Sequence, residues 1–305
     1  MRQLVVLAAL LLTSGCAPSH SSSDSTSPTK SRDSGSLQAL AARNGPEVAL
    51  VPGASDFAPG NVRYPFLVVN DDGASIERPT AEVWVARGLG NKPFEHHVAR
   101  LEEVGIAGGA RSDASHLYVA HLTIARPGKY WVLAKPVGGQ PIQGLGNLIV
   151  RRRTFSPAVG SSAYPSQTPT LKGAGGHASA ITTRVPPDRA LLRYSIAQSL
   201  AEHKPFVAIF ATPKFCTSRT CGPVVDVVDA LRRTISPTKI RFIHVEIYKN
   251  NNPTEGFNRW VREWHLPTEP WVFLVGRDGR IKAKFEGSVS FRELRSATRQ
   301  YLGVQ

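Results

Sequence analysis

The spacing of apolar residues changes several times along this chain, and each change marks a different kind of structure. Met1-Arg2-Gln3 is followed by an unbroken apolar run over residues 4–12. That run is too short to span a bilayer but has the length of the apolar core of an export signal. Residues 17–47 are then rich in Ser, Thr and Asp. They carry too little apolar surface to offset the entropy of ordering, which predicts a flexible tether over 16–47.

From 48 to 154 the period becomes two. Residues 63–69, 81–86, 117–124 and 129–134 alternate or run apolar as strands do, and turn signals such as Asn70-Asp71-Asp72-Gly73 and Arg126-Pro127-Gly128 separate several of them. No long helical pattern intervenes. Many short strands without helices predict a β-sandwich. Residues 155–190, with Pro157, Pro165, Pro169, Gly173-Ala174-Gly175-Gly176 and Pro186-Pro187, predict an interdomain linker running along one of the domains.

From 191 onward the pattern alternates between helix and strand. Helices are predicted over 195–203, 224–231, 257–264 and from about 291 to 302. Apolar strands are predicted over 206–210, 240–247 and 271–275, and the turn Arg277-Asp278-Gly279-Arg280 leads into another strand over 281–285. This order predicts a small mixed sheet flanked by helices. The sequence thus divides into 1–15, 16–47, 48–154, 155–190 and 191–305.

Cysteine arithmetic sharpens the compartment. The apolar leader ends in Thr13-Ser14-Gly15-Cys16, small residues leading into a cysteine, as at a lipoprotein signal-peptidase site. Leu12 stands one place early for that motif, and an ordinary secretory cut nearby is the alternative. Lipid on Cys16 would anchor the chain at the extracytoplasmic face of the cell membrane. It would also account for an odd count, because the chain has three cysteines and only Cys216 and Cys221 then remain to pair. The formal net charge of +14 is spread along the chain with no basic stripe interleaved with aromatics, which favours an anionic membrane over nucleic acid as its neighbour.

The chemistry is carried by the segment after the first C-terminal strand, Ala211-Thr212-Pro213-Lys214-Phe215-Cys216-Thr217-Ser218-Arg219-Thr220-Cys221-Gly222-Pro223, which leads into a predicted helix. A cysteine near a helix N-terminus has its thiolate stabilised by unpaired amides, and a second thiol within reach resolves a mixed disulfide. Pro223 suits the first helical position with Gly222 as cap, and Lys214 and Arg219 add positive charge. Together with Leu266-Pro267-Thr268-Glu269-Pro270-Trp271 and the turn at 276–279, this loop resembles the thioredoxin-fold superfamily, specifically its exported bacterial branch, over about residues 190–305. The residues 127–132 likewise resemble the segment of immunoglobulin-like domains in which a tyrosine packs at a sheet corner.

The resemblance implies a two-domain fold, an N-terminal all-β immunoglobulin-like sandwich and a C-terminal α/β thioredoxin-like domain. It implies catalysis by Cys216 and Cys221, and a substrate groove shaped by Pro270, Glu269 and Phe215 that takes the thiols or disulfides of exported proteins. A separate redox partner, which the sequence does not identify, would reset the pair. The chain departs from the family in three places. Four residues separate the cysteines instead of two, Phe215 stands where Trp is usual, and Ala208 stands where a buried acid assists proton transfer. Matching Cys221-Gly222-Pro223-Val224 to the family motif instead would make Cys221 the attacking thiol. A structural disulfide in a non-catalytic scaffold, and a copper site using a distal histidine such as His244 or His265, are the competing readings of the pair. Otherwise no cofactor is implied. His96-His97, His116 and His121 read as surface residues, and Trp260 and Trp264, at helical spacing, as packing against the sheet.

Overall fold

The computed structural model of the chain describes residues 35–42 and 46–303. The leader at 1–15, the acceptor Cys16 and most of the stretch expected as a tether lie outside them. Within that stretch, Leu37–Ala41 form a short helix, α1, capped by the Ser36 hydroxyl, which accepts from the Ala39 amide. Leu37 is fully buried against Ala86 and Leu133.

Seven strands follow: β1 (Glu47–Pro52), β2 (Gly60–Val69), β3 (Thr80–Ala86), β4 (Glu95–Glu103), β5 (His116–Ile124), β6 (Gly128–Pro136) and β7 (Gln143–Val150). They hydrogen-bond in the order β1-β2-β5-β4-β3-β6-β7, and a parallel pairing of β1 with β7 closes the ring. Alternate residues point inward, as the pleat requires. Tyr64, Phe66, Val68, Val83, Val85, Tyr118, Leu122 and Val132 fill the interior. Phe57, Tyr64, Phe66 and Tyr118 stack in succession, with centroids 6.0, 5.6 and 5.3 Å apart. At Gly146 on β7 an added Cβ would lie 2.7 Å from Cδ2 of Leu50 on β1, so closure brings the two strands close and a larger residue would have to displace that side chain.

The second part contains α2 (Ile196–Ala201), β8 (Phe206–Phe210), α3 (Cys221–Thr234), β9 (Arg241–Val245), α4 (Arg259–Glu263), β10 (Trp271–Val275), β11 (Ile281–Glu286) and α5 (Phe291–Leu302). The four strands order as β11-β10-β8-β9, with β8 and β9 parallel and the other pairs antiparallel. Val207, Ile209, Val272 and Leu274 face α3 and α5. Phe206, Ala208, Phe210 and Phe273 face the other way, where Trp264, Leu266 and Ala163 cover them.

The expected fold class is therefore corrected on both counts. The N-terminal strands make a closed barrel and not an immunoglobulin-like sandwich, because β1, β4 and β7 complete a ring that the four recognised strands alone would leave open. The C-terminal part is a four-stranded sheet, not a thioredoxin-like α/β domain with a helix-flanked sheet. Among the described residues the chain is mostly β, with five short helices. Helices α2 and α4 have six and five residues, so one-turn helices and loop cover the sheet's second face, while the five-residue α1 packs on the barrel. Local signals survive within the different assembly. Tyr130 is buried with its hydroxyl donating to the Arg126 carbonyl at 2.6 Å, but inside a barrel.

Barrel and sheet belong to one compact unit, Asp33–Gln305. Buried charge pins them together. Glu286 of β11 accepts from the Ser55 and Asp56 amides at 2.9 and 2.7 Å. Arg63 of β2 forks onto Glu293 of α5 at 2.7 and 2.8 Å and donates to the Ser288 carbonyl at 2.7 Å. Asp226 of α3 accepts from the Ala110 amide at 2.6 Å and pairs with Arg184. Residues 155–190 pack along the sheet. There the Ser166 hydroxyl accepts from the Trp264 indole at 2.9 Å, and Thr183 donates twice to Glu246.

Candidate active site

Helix α3 begins at Cys221, not at Pro223. Thr220 is the N-cap residue, without a side-chain cap bond, and Gly222 and Pro223 lie within the first turn. Their smallness and shape serve the barrel. An added Cβ at Gly222 would lie 2.9 Å from Cβ of Ala110, and one at Gly105 would lie 3.1 Å from Cβ of Pro223. The barrel loop from 104 to 115 thus rests directly on the turn that carries the cysteines.

The loop brings Cys216 back over that turn. Its Sγ accepts the Cys221 amide at 3.2 Å and lies 3.4 Å from the Ser218 hydroxyl. Arg219 reaches its place with a φ of 53°. Both thiols are free; Cys216 is half-buried and Cys221 fully buried. The two environments drive the thiols apart. A hydrogen bond from the Cys221 thiol pulls Cys216 down to about 5 against partial burial, helped by the Ser218 hydroxyl and the amides of Cys221 and Thr220. Burial, followed by the bond given to Cys216 and by that sulfur's charge, pushes Cys221 far up. One sulfur is held as a thiolate and its neighbour as a thiol.

Glu269 is the third member. One of its carboxylate oxygens and both sulfurs all lie within 4.8 Å of one another. Burial, reinforced by the charges of Cys216 and Glu246, raises its carboxyl to about 7. The Glu269–Pro270 peptide is cis, and Pro270 is buried. Phe215 meets Tyr248 edge-on at 6.3 Å, and Tyr248 stacks on Phe257 at 5.6 Å. All five residues expected around the site, Cys216, Cys221, Phe215, Glu269 and Pro270, therefore belong to one neighbourhood. The flanking cations contribute less than expected. The Lys214 ammonium lies 5.2 Å from the Phe215 ring centroid, and Arg219 faces Asp113 at 3.5 Å in the open.

Sequence reasoning missed Ser218, Thr220 and Tyr248, and it gave Glu269 a groove role only. The absence of an acid at Ala208 was legible. The placement of Glu269 within 4.8 Å of both sulfurs was not, although an acid directly preceding Pro270 was the available signal.

Two thiols and a carboxylate lie close enough to hold a metal ion, but they mix soft donors with a hard one and select no particular metal. The histidines considered for copper lie elsewhere. His244 is buried, with its ring 3.3 Å from Thr182 Oγ1 and 3.0 Å from the Ala211 carbonyl. His265 is exposed beside Tyr164. His96 stacks on Trp84, His97 pairs with Glu95, and His116 meets Glu77 at 2.8 Å. Trp264 is completely buried, whereas Trp260 is half-buried beneath Arg259. Among the described residues, no helix is long and apolar enough to cross a membrane.

No protein-family model matches the chain, and neither a curated protein nor a solved structure matches it.

Proposed function

We propose that this protein is an exported, lipid-anchored thiol–disulfide oxidoreductase acting on exported proteins through Cys216 and Cys221. The observation that carries the reading is the Cys221 amide on Cys216 Sγ, with the Cys221 thiol buried behind it. This asymmetry is what exchange needs: a ready nucleophile, and a second sulfur that stays protonated until called on.

From the dithiol, the Cys216 thiolate attacks one sulfur of a substrate disulfide. The substrate S–S bond breaks, a Cys216–substrate disulfide forms, and the other substrate sulfur leaves as a thiolate. The Cys221 thiol then passes its proton to the Glu269 carboxylate and attacks Cys216 Sγ. The internal disulfide forms and the second substrate thiolate departs, so two electrons pass from the pair to the substrate. Run backwards, the same steps oxidise a dithiol. Glu269 supplies the acid–base function that Ala208 lacks. Lipid on Cys16 would hold the site at the membrane surface, and a second redox protein would reset the pair.

The test is single-turnover exchange of the full chain with a peptide disulfide. Wild type should end as the internal disulfide. Cys221→Ser should accumulate a mixed disulfide on Cys216, and Cys216→Ser should be inert. Failure of Cys221→Ser to trap that adduct, or full reactivity of Cys216→Ser, would overturn the reading.

A further inference from the structure

A cleft of about 580 Å³ separates the outer wall of the barrel from the cysteine loop. It reaches the edge of the candidate site, although neither sulfur lines the cleft. Ser218, whose hydroxyl lies 3.4 Å from Cys216 Sγ, lines it, as does Glu269, whose carboxylate is within 4.8 Å of both sulfurs. Its volume falls in the range of ligand sites, roughly 300–1,000 Å³.

The barrel side is apolar where a barrel's outer face is ordinarily polar. Val51 of β1 and Leu67 of β2 are directly paired across the ladder, and Ile149 lies on β7, the other neighbour of β1. All three line the cleft. Val51 is 43% exposed and Ile149 52%, so these side chains form a wall and not a core.

Glu286 and Asp113 at the cleft are already engaged, whereas Arg151 has no ion-pair partner among the described residues. Glu286 is saturated by Ser55, Asp56 and Thr268, Arg151 donates to the Ser55 carbonyl at 2.8 Å, and Asp113 faces Arg219. Glu269 has no hydrogen-bond or ion-pair partner among the described residues, and it lies at the sulfurs. An apolar side chain would find three aliphatic side chains on the barrel wall. The occupant must also carry sulfur to the Cys216 end.

We propose that this cleft is the substrate groove, and that it selects an extended polypeptide stretch with a large aliphatic or aromatic side chain beside its reactive cysteine; the proposal rests on the thiol-exchange reading above. The barrel is then half of the recognition site and not a spacer. A single methylene enclosed in a hydrophobic pocket is worth about 10–200-fold in discrimination, and a large side chain against this more open wall should reach the lower end of that range.

Two peptide disulfides that differ only in carrying Leu or Ser next to the cysteine test this. The full chain should react with the Leu peptide at least about tenfold faster in kcat/KM. Ile149→Glu and Val51→Glu should each erase most of that preference, while iodoacetamide labels Cys216 at the wild-type rate. Equal rates for both peptides in wild type, which need no variant to fold, would overturn the groove while leaving thiol exchange standing. So would a preference that survives both substitutions. No exchange with either peptide, while iodoacetamide still labels Cys216, would overturn the underlying function as well.

Discussion

The backbone amide of Cys221, the first residue of α3, donates to Sγ of Cys216 at 3.2 Å. The positive end of a fourteen-residue helix therefore points at the Cys216 sulfur. Alkylation of Cys216 should follow a midpoint near pH 5 and be flat above pH 7, with Cys221 unlabelled until the protein unfolds. Ser218→Ala removes one donor and should raise that midpoint by about one unit. The linkage has a definite sign. The native pKa of Cys216 lies below that of an unfolded cysteine. Its contribution to stability is therefore full in mild alkali and is lost as pH falls towards 5.

Glu269→Gln should slow the resolving step by about a hundredfold while leaving Cys216 alkylation near wild type, so that mixed disulfide accumulates. In wild type that step should speed up with pH through a midpoint at or somewhat below 7, because Glu269 must be ionised to accept a proton and the Cys216 charge is absent from the mixed disulfide. The same substitution should raise the melting temperature at pH 8 and leave it unchanged at pH 4. The folded carboxyl titrates above its unfolded value, so burying its charge costs stability increasingly as pH rises from the ordinary carboxylate range to about 7, and in full above that. With screening of this half-buried group allowed for, the gain is roughly 1–2 kcal/mol.

Arg63 and Glu293 join the barrel to α5 with side chains only 12% and 10% exposed. Arg63→Ala strands the carboxylate and should cost about 3–5 kcal/mol by denaturant unfolding, whereas Arg63→Met combined with Glu293→Leu should come close to neutral.

Trp264 fills the second face of the sheet against Phe210 and Phe273. Trp264→Ala should cost about 3–5 kcal/mol by the same measurement, and Trp264→Phe much less, since it keeps the packing and loses chiefly the indole's bond to Ser166.

The elements that sequence made visible are those whose burial imposes a clean period. Residues 63–69, 117–124, 206–210 and 271–275 all fall in strands, and the helix over 291–302 is capped at Ser290 as its Ser-x-x-Glu pattern implies. What stayed hidden is non-local. In β4, with His96-His97, most outward positions are polar, and β7 contains Gly144 and Gly146, which read as loop. Both are strands because their neighbours pair with them, and the β1–β7 closure joins residues almost a hundred positions apart. The two sulfurs were legible from one loop. Sequence favoured Cys216 as the attacking thiol, with Cys221 as the alternative. The contrast between their environments was not legible, because it depends on where α3 starts, and propensity placed that start at Pro223 instead of Cys221.

The reduction potential of the Cys216–Cys221 couple, measured on the full chain in glutathione buffers, bears most directly on the proposed chemistry. A thiolate held at about 5 favours the reduced pair, so the potential should fall between about −270 and −120 mV. A value well below about −300 mV, or failure of the two sulfurs to form a bond, would contradict a catalytic role.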